Sequence, residues 1–559
     1  MLIFFLVNIT GIFRDYSLNT GGDESVLTAA TVKMIADQTL RPNYPTFYHV
    51  PLAVYFYLPL FILFFIFLRL SGIFTSLDSI KEFGILNFYN FLPLARLATV
   101  LMGLASIYFL YKTAQKLFNN KWISLSAAFF LSSSFMFVQL THLARVWIPQ
   151  TMAVVLAFYL IIILYQRRED KFNDYLLVGL SLGLALAVHV IGIIVYSSFI
   201  VAHYLKNAPK KLKAIFLVNK YFWLVNLIII LFYFLIYYLN PYGFNNYINR
   251  EGGLWPNFGF LFDPAATGIG SASNSLFFNI IDWLRNFGYY AKILIEYDPI
   301  LVLFFIAGAA ILFLKARKKF YIIISFILAY YIGATFAGLI SNYILPVIPF
   351  LALAGGYGLY YFYKKIKAKI NQPVAIAVIL FIFTLNFMPP LIWDYRLVQP
   401  GARLAARDWI YDNIPPGSRI VNFESLLELN ENRLSLTDME KFASNLYTKK
   451  RAYLLSRPEA EYPQPNYYVL YYDYFSDLPE VLRSKKYDYL IISWHDKQQL
   501  KLRLDQAKLF KSQPVLLKRF PESANENSRY QDLRDMKQPI ITVITDKIYS
   551  PVIDIYQLR

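Results

Sequence analysis

Cysteine is absent from the 559 residues. Disulfides, zinc–thiolate sites, iron–sulfur clusters and thiol catalysis are therefore excluded. Charge is scarce: 16% of residues are Asp, Glu, Lys or Arg, against about 25% in a soluble domain. Histidine is rarer still, at five. Neither a disordered chain nor an ordinary soluble enzyme fits so low a charge content. What the sequence does hold is apolar: 57% is hydrophobic, with 49 Phe and 45 Tyr. A net charge of +18 points to nucleic acid only where the charge forms one solvated patch. Here it is spread over short loops between apolar runs, so no nucleic-acid partner is expected.

Runs able to cross a bilayer occupy 91–111, 122–139, 147–165, 175–188, 191–205, 216–239, 297–314, 320–340, 344–363 and 373–393. Several approach the ~20 residues that a hydrocarbon core requires. The pair 175–188 and 191–205 reads as two short helices meeting near His189. Residues 1–13 are also apolar, but at ~1.5 Å per residue they reach only about 20 Å. They lack the basic lead and small-residue cleavage site of a signal peptide.

Residues 51–70 look as hydrophobic as any of these, and charge decides their status. Eighteen Lys and Arg fall in five short loops, within 112–121, 167–171, 206–213, 315–319 and 364–369. The alternate short loops, 140–146, 189–190 and 341–343, hold one cation, Arg145. Basic loops stay cytoplasmic. The alternation closes if 1–13 crosses outward and 51–70 lies as a helix in the outer interface. The expected fold is a polytopic α-helical membrane module, 1–393, with eleven spans and outer loops 14–90 and 240–296. In the second of these, 276–293 reads as an amphipathic helix lying on the membrane, beside a glycine-rich stretch suited to a lid.

The tail is a different material. Residues 394–559 carry 25 Lys and Arg against 22 Asp and Glu. Short β-like runs recur at 418–423, 466–472, 487–493, 514–518, 539–545 and 552–557, with charged helical stretches such as 402–413 and 496–511 between them. This predicts a soluble C-terminal α/β domain on the outer face.

Candidate chemistry gathers on that face. Asp23 and Glu24 follow Gly21-Gly22, soon after the first span. Adjacent carboxylates there accept a proton or a metal; equally, they open a helix as its cap and first-turn acid. Tyr48 and His49 close an aromatic stretch that also suits a headgroup belt. Arg96 and Arg145 begin spans, where snorkelling anchors are common, or they bind an anionic headgroup. His142 and His189 join His49 at the outer surface. With the two acids they make a divalent metal possible, although no tight ligand spacing supports one. Gly179 and Gly183, and Gly355, Gly356 and Gly358, lie inside spans and permit close helix contacts.

In order along the chain, these features resemble the GT-C glycosyltransferases of the polyprenyl-phosphate-sugar-dependent family 39. That family includes protein O-mannosyltransferases and aminoarabinose transferases of lipid A. The matching pieces begin with Gly22-Asp23-Glu24, Tyr44-Pro45-Thr46-Phe47-Tyr48, Ala95-Arg96-Leu97-Ala98 and Leu117-Phe118-Asn119-Asn120-Lys121. They continue with Ala144-Arg145-Val146-Trp147-Ile148-Pro149, the run from Gly183 to His189, Asn342-Tyr343-Ile344-Leu345-Pro346 and Ser550-Pro551-Val552-Ile553-Asp554. The resemblance implies an inner-membrane enzyme of the cell envelope with a polyprenyl-phosphate-linked sugar donor. The acceptor is a protein, lipid or glycan. It implies Asp23 as general base with Glu24 beside it, Arg145, His189 and Arg96 as contacts to the donor phosphate, and Tyr48, His49 and His142 as sugar contacts. The sequence departs from the family where Trp147 replaces a frequent second Asp and Asn342 a frequent Arg. Two rival classes follow: a transporter or flippase of a lipid-linked saccharide, and an inactive relative that binds glycolipid.

Overall fold

The computed structural model describes residues 1–14, 23–42, 52–74, 76–208, 211–239, 280–336, 340–399, 401–443, 448–475, 478–510, 513–532, 539–545, 547–549 and 551–559. The membrane module is built from α1 (Leu2–Thr10), α2 (Asp23–Ala36), α3 (Leu58–Leu70), α4 (Leu77–Leu86), α5 (Leu92–Phe118), α6 (Lys121–Ser132), α7 (Phe135–Thr141) and α8 (Trp147–Gln166). It continues with α9 (Phe172–Val188), α10 (Tyr196–Asn207), α11 (Lys220–Leu239), α12 (Ile280–Tyr297), α13 (Pro299–Lys315), α14 (Arg317–Phe336), α15 (Ile348–Lys367) and α16 (Gln372–Leu397). Among the described residues, seven helices are long and apolar enough to cross a membrane. Two bent pairs, α6 with α7 at 57° and α12 with α13 at 112°, raise this to nine. The other two expected spans correspond to α1 and α9, which are shorter, at 9 and 17 residues.

Local chemistry explains the breaks. Asn119 adopts a left-handed conformation, φ 49°, that ends α5, and the side chain of Asn120 then accepts the Trp122 and Ile123 N–H groups to start α6. Asn tolerates this turn conformation and is a preferred N-cap. Asp298 makes the bend between α6 and α7 possible. Its carboxylate takes the Ser134 hydroxyl and the Phe135 N–H, both at 2.8 Å, so the backbone donors freed there are not left bare. α3 has thirteen residues, too few to span. Phe61 and Phe65 pack on Phe91 while Leu63, Phe67 and Leu70 stay exposed.

The small-residue segments are where helices touch. A methyl group on Gly308 would lie 1.8 Å from the Ala354 carbonyl oxygen, and one on Gly183 would lie 2.3 Å from the Phe232 ring. The basic loops gather at one end of the bundle. Gln166 bonds the Lys116 carbonyl, Lys206 pairs with Asp170, Lys319 lies over the Phe118 ring and Lys315 over Tyr361.

The C-terminal domain packs α17 (Ala402–Asn413) on a five-stranded sheet of β1 (Arg419–Asn422), β2 (Tyr468–Tyr471), β3 (Tyr489–Trp494), β4 (Pro514–Phe520) and β5 (Val552–Leu558). The spatial order is β2-β1-β3-β5-β4. β1 is parallel to both neighbours, and β5 is antiparallel to β3 and β4. Both faces are covered: Ile420, Ile491 and Ile553 meet Ala406 and Ile410 of α17, while Val421, Leu490 and Ile492 pack on the far side. One expectation is corrected. Residues 539–545 are not a strand; Ile540–Thr545 is a helix with Val543 buried. The domain docks on the membrane module at the end opposite the basic loops. The Tyr89 hydroxyl donates to Glu428 at 2.9 Å and that of Tyr453 to Glu82 at 2.7 Å.

Candidate active site

The first turn of α2 is fixed by a buried ion pair. Glu24 and Arg96 are both 0% exposed. Arg96 Nε donates to Glu24 Oε1 at 3.0 Å and Nη2 to Oε2 at 2.9 Å. Nη1 bonds the carbonyls of Ile12 and Arg14, at 3.1 and 2.7 Å, and the Ala144 N–H adds a third donor to Glu24 at 2.9 Å. Burial alone would raise the Glu24 pKa. The charge and hydrogen bonds of Arg96, the charge of Arg14 and the Ala144 N–H outweigh it and hold the carboxyl below its usual 4.5. Two charges leave water favourably only with such complete pairing.

These bonds give both residues a structural task. Both oxygens of Glu24 are occupied and its charge is stabilised. Arg96, fully buried, ties α2 to α5 and to the end of α1. His142, expected at the outer surface, is fully buried. Its Nδ1 meets the Val138 carbonyl at 2.9 Å and its Nε2 meets Asp394 at 3.3 Å. Asp394 also accepts the Thr10 hydroxyl, so His142 joins α1, α7 and α16. Tyr48 and His49 lie outside the described residues, as does the side chain of Asp23, whose backbone opens α2.

Ala144 leads directly to Arg145. The Tyr57 hydroxyl donates to the Arg145 carbonyl at 3.2 Å and sits 3.2 Å from Thr99, which sets the backbone course before α8. Trp147, at the start of α8, brings in two further elements. Its ring centre is 5.4 Å from His189 and 5.0 Å from Tyr343, the latter edge-on. His189 is the extended residue that ends α9, and Tyr343 belongs to the 3-10 turn Ser341–Val347. One turn into α8, Gln150 donates to the Tyr330 hydroxyl of α14 at 3.2 Å. The structure thus brings Glu24, Arg96, Arg145 and His189 to one end of the module, with aromatic walls supplied by Trp147 and Tyr343. Sequence reasoning missed the roles of Tyr57, Gln150 and Tyr330, which carry no motif. Asp298 was legible only as an Asp before Pro at the head of a span. Among the described residues, no three His, Asp or Glu side chains gather into a metal site.

Residues 88–238 match the family of the dolichyl-phosphate-mannose-protein mannosyltransferases. The structure is similar to that of ArnT from Cupriavidus metallidurans in the apo state, with TM-score 0.51 and 12% identity over 99% of this chain and 97% of that one. ArnT bound to undecaprenyl phosphate aligns over the same shares at TM-score 0.46 and 12% identity. The oligosaccharyltransferase AglB from Archaeoglobus fulgidus aligns at 0.44 and 15%, over 88% of this chain and 68% of AglB. No curated protein matches the chain. At these identities the likeness is one of fold. The chain is a polytopic α-helical membrane protein with an appended α/β domain, similar in fold to ArnT, and its segment 88–238, from just before α5 almost to the end of α11, is where the mannosyltransferase family model matches.

Proposed function

We propose that this protein is a membrane glycosyltransferase that moves a monosaccharide from a polyprenyl-phosphate carrier to an acceptor on the extracytoplasmic face. The reading places 394–559 on that face and the basic loops in the cytoplasm. Asp23 is the base. Its carboxylate takes the proton of the acceptor hydroxyl or amine as that atom bonds the anomeric carbon. The bond from this carbon to the lipid phosphate breaks, the configuration inverts, and polyprenyl phosphate leaves. Arg145 and His189 neutralise the charge that builds on the departing phosphate. Trp147 and Tyr343 wall the sugar.

The observation that carries this reading is the Glu24 ion pair. It ties the turn bearing Asp23 to the segment bearing Arg145 through the Ala144 N–H at 2.9 Å, so a base and an anion-binding cation share one rigid support. Such fixed placement is what lets a general base work without reorganisation.

The test is transfer in membranes supplied with a polyprenyl-phosphate sugar. Asp23→Asn should lower release of free polyprenyl phosphate by at least about a hundredfold, the contribution of a general base, with membrane insertion unchanged. Full activity of this variant sinks the assignment of the base. Movement of intact donor across the bilayer identifies a transporter instead. Binding without turnover identifies an inactive relative.

A further inference from the structure

The helix Ile540–Thr545 belongs to the C-terminal domain by sequence and to the membrane module by packing. Val543, fully buried, and Ile540, partly buried, join the apolar core of the spans that includes Trp393 and Leu397. Ile553 and Ile555, further along the chain, serve the sheet instead. The neighbours of the helix fix its level. It lies against α16 and α12, and the strand after it, Lys547–Tyr549, also touches α16. α16 starts beside the basic loop 364–369 and ends where the C-terminal domain begins. α13 ends at Lys315, among the basic loops, so its start at Pro299 is at the far end of the bundle, and α12 departs from it there at 112°. The helix therefore meets the spans at the edge where they emerge on the side of the domain.

One face of the helix is left over. Ile541 is 63% exposed and Ile544 50%. Three residues apart, they lie on the same side. The stretch from Gln538 to Thr545 carries no charge, in a domain with 25 Lys and Arg and 22 Asp and Glu. Two of its polar groups are satisfied within the segment: the Thr545 hydroxyl donates to the Ile541 carbonyl at 2.9 Å, and the Val543 N–H to the Pro539 carbonyl at 3.1 Å. Pro539 has no N–H to leave bare. Internal pairing of this kind is what hydrocarbon demands of a chain. α16, on which the helix packs, itself exposes Leu385, Met388 and Leu391, as a span bordering lipid does. A second copy of the chain suits the face less well. Helices that associate inside a bilayer gain no hydrophobic drive and approach through small residues, whereas Ile541 and Ile544 are bulky. Acyl chains cover such a face without needing a matching shape.

We propose that the helix Ile540–Thr545 seats the C-terminal domain in the membrane leaflet on its own side, with Ile541 and Ile544 among the lipid acyl chains. Val543 then holds the domain to the spans while its two neighbours hold it to the bilayer. This attachment is independent of the transferase reading.

The chain has no cysteine, so single cysteines can be labelled in the full-length protein. Ile541→Cys and Ile544→Cys are labelled with an environment-sensitive nitrobenzoxadiazole dye in phosphatidylcholine nanodiscs. Leu502→Cys, exposed on the charged helix Lys497–Ala507, is the aqueous reference. Emission at 541 and 544 should shift to the blue, dim when the acyl chains carry bromine, and resist iodide in the water. Emission at 502 should do the reverse. Dyes at 541 and 544 that behave like the one at 502 overturn the proposal. So do dyes shielded from both quenchers, which would mean that protein, from a second copy or from this chain, covers the face. Wild-type protein gives a second readout that no substitution can disturb. A phosphatidylcholine with a photoactivatable group in its acyl chain should leave adducts on Ile541 or Ile544, in the peptide that trypsin frees after Lys537 and Lys547. An unmodified peptide, beside labelled spans, also overturns the seat.

Discussion

Among the described residues three Glu–Arg pairs are buried, Glu24–Arg96, Glu424–Arg403 and Glu431–Arg451, and the first and last of them face opposite ways in chemistry. At the membrane surface, both oxygens of Glu24 are bonded, to two guanidinium nitrogens and a backbone N–H. In the C-terminal domain, Glu431 has one bonded oxygen, at 2.7 Å from Arg451 Nε, and one unbonded. Arg451 also lies over the rings of Tyr471 and Tyr474, at 5.4 and 5.7 Å. Burial is similar in both, so burial does not set the difference. The number of donors does, together with the neighbouring charges: Arg14 adds a second cation near Glu24, whereas Glu428 repels Glu431. With three donors, the charged form wins and the Glu24 pKa falls; with one, desolvation wins and the Glu431 pKa rises. The first pair is fully bonded and the second leaves one enclosed oxygen without a donor.

The largest effect expected from this contrast is at Arg96. Arg96→Ala leaves Glu24 buried and charged without its main partner, a loss of about 3–5 kcal/mol. It should lower the thermal midpoint in nanodiscs sharply and cut the yield of folded protein. A variant as stable as wild type would mean that α2 is held by something other than the pair.

A pH titration sharpens the same comparison with smaller energies. Glu24 has a lowered folded pKa, so its contribution is present above 4.5 and fades as pH falls through that value and below. Glu431 has a raised one, so its favourable, protonated form is present below 4.5 and is lost as pH rises above it. The stability gap between wild type and Glu24→Gln should therefore shrink on acidification. The gap between wild type and Glu431→Gln should move the other way. Parallel curves for the two variants would refute the donor-counting explanation.

The membrane module was legible because crossing a bilayer imposes one rule along the chain. Apolar runs and the alternation of Lys and Arg with bare loops located the helices, and runs of small residues located the glycine contacts at 183 and 358, without any knowledge of partners. The five main strands were legible for a similar reason, since their apolar runs are short and bounded by turn residues. The site was less so. Nothing near Glu24 announces Arg96, which is 72 residues away, and an acid beside an acid reads as chemistry until its partner is found. His142 reads as a surface residue because the alternation of spans puts the loop 140–146 on the outer face, yet it is fully buried and bonds Val138 and Asp394. Ile540–Thr545 is rich in β-branched residues and still forms a helix, because burying Val543 against its neighbours outweighs a propensity worth little by itself.

A third glutamate tests whether donor counting extends beyond full burial. Glu428 stands at the junction of the two domains with its side chain 28% exposed, near Lys450 at 3.8 Å. It receives the Tyr89 hydroxyl at 2.9 Å. Water reaches this carboxylate, so losing one donor leaves it solvated rather than bare. Tyr89→Phe should therefore cost only about 1 kcal/mol, well under Arg96→Ala, and should shift the midpoint of the C-terminal domain by a few degrees without releasing it from the membrane module. A loss as large as that at Arg96 would show that exposure does not soften the penalty, and that the Tyr89 hydroxyl is a main tie between the domains.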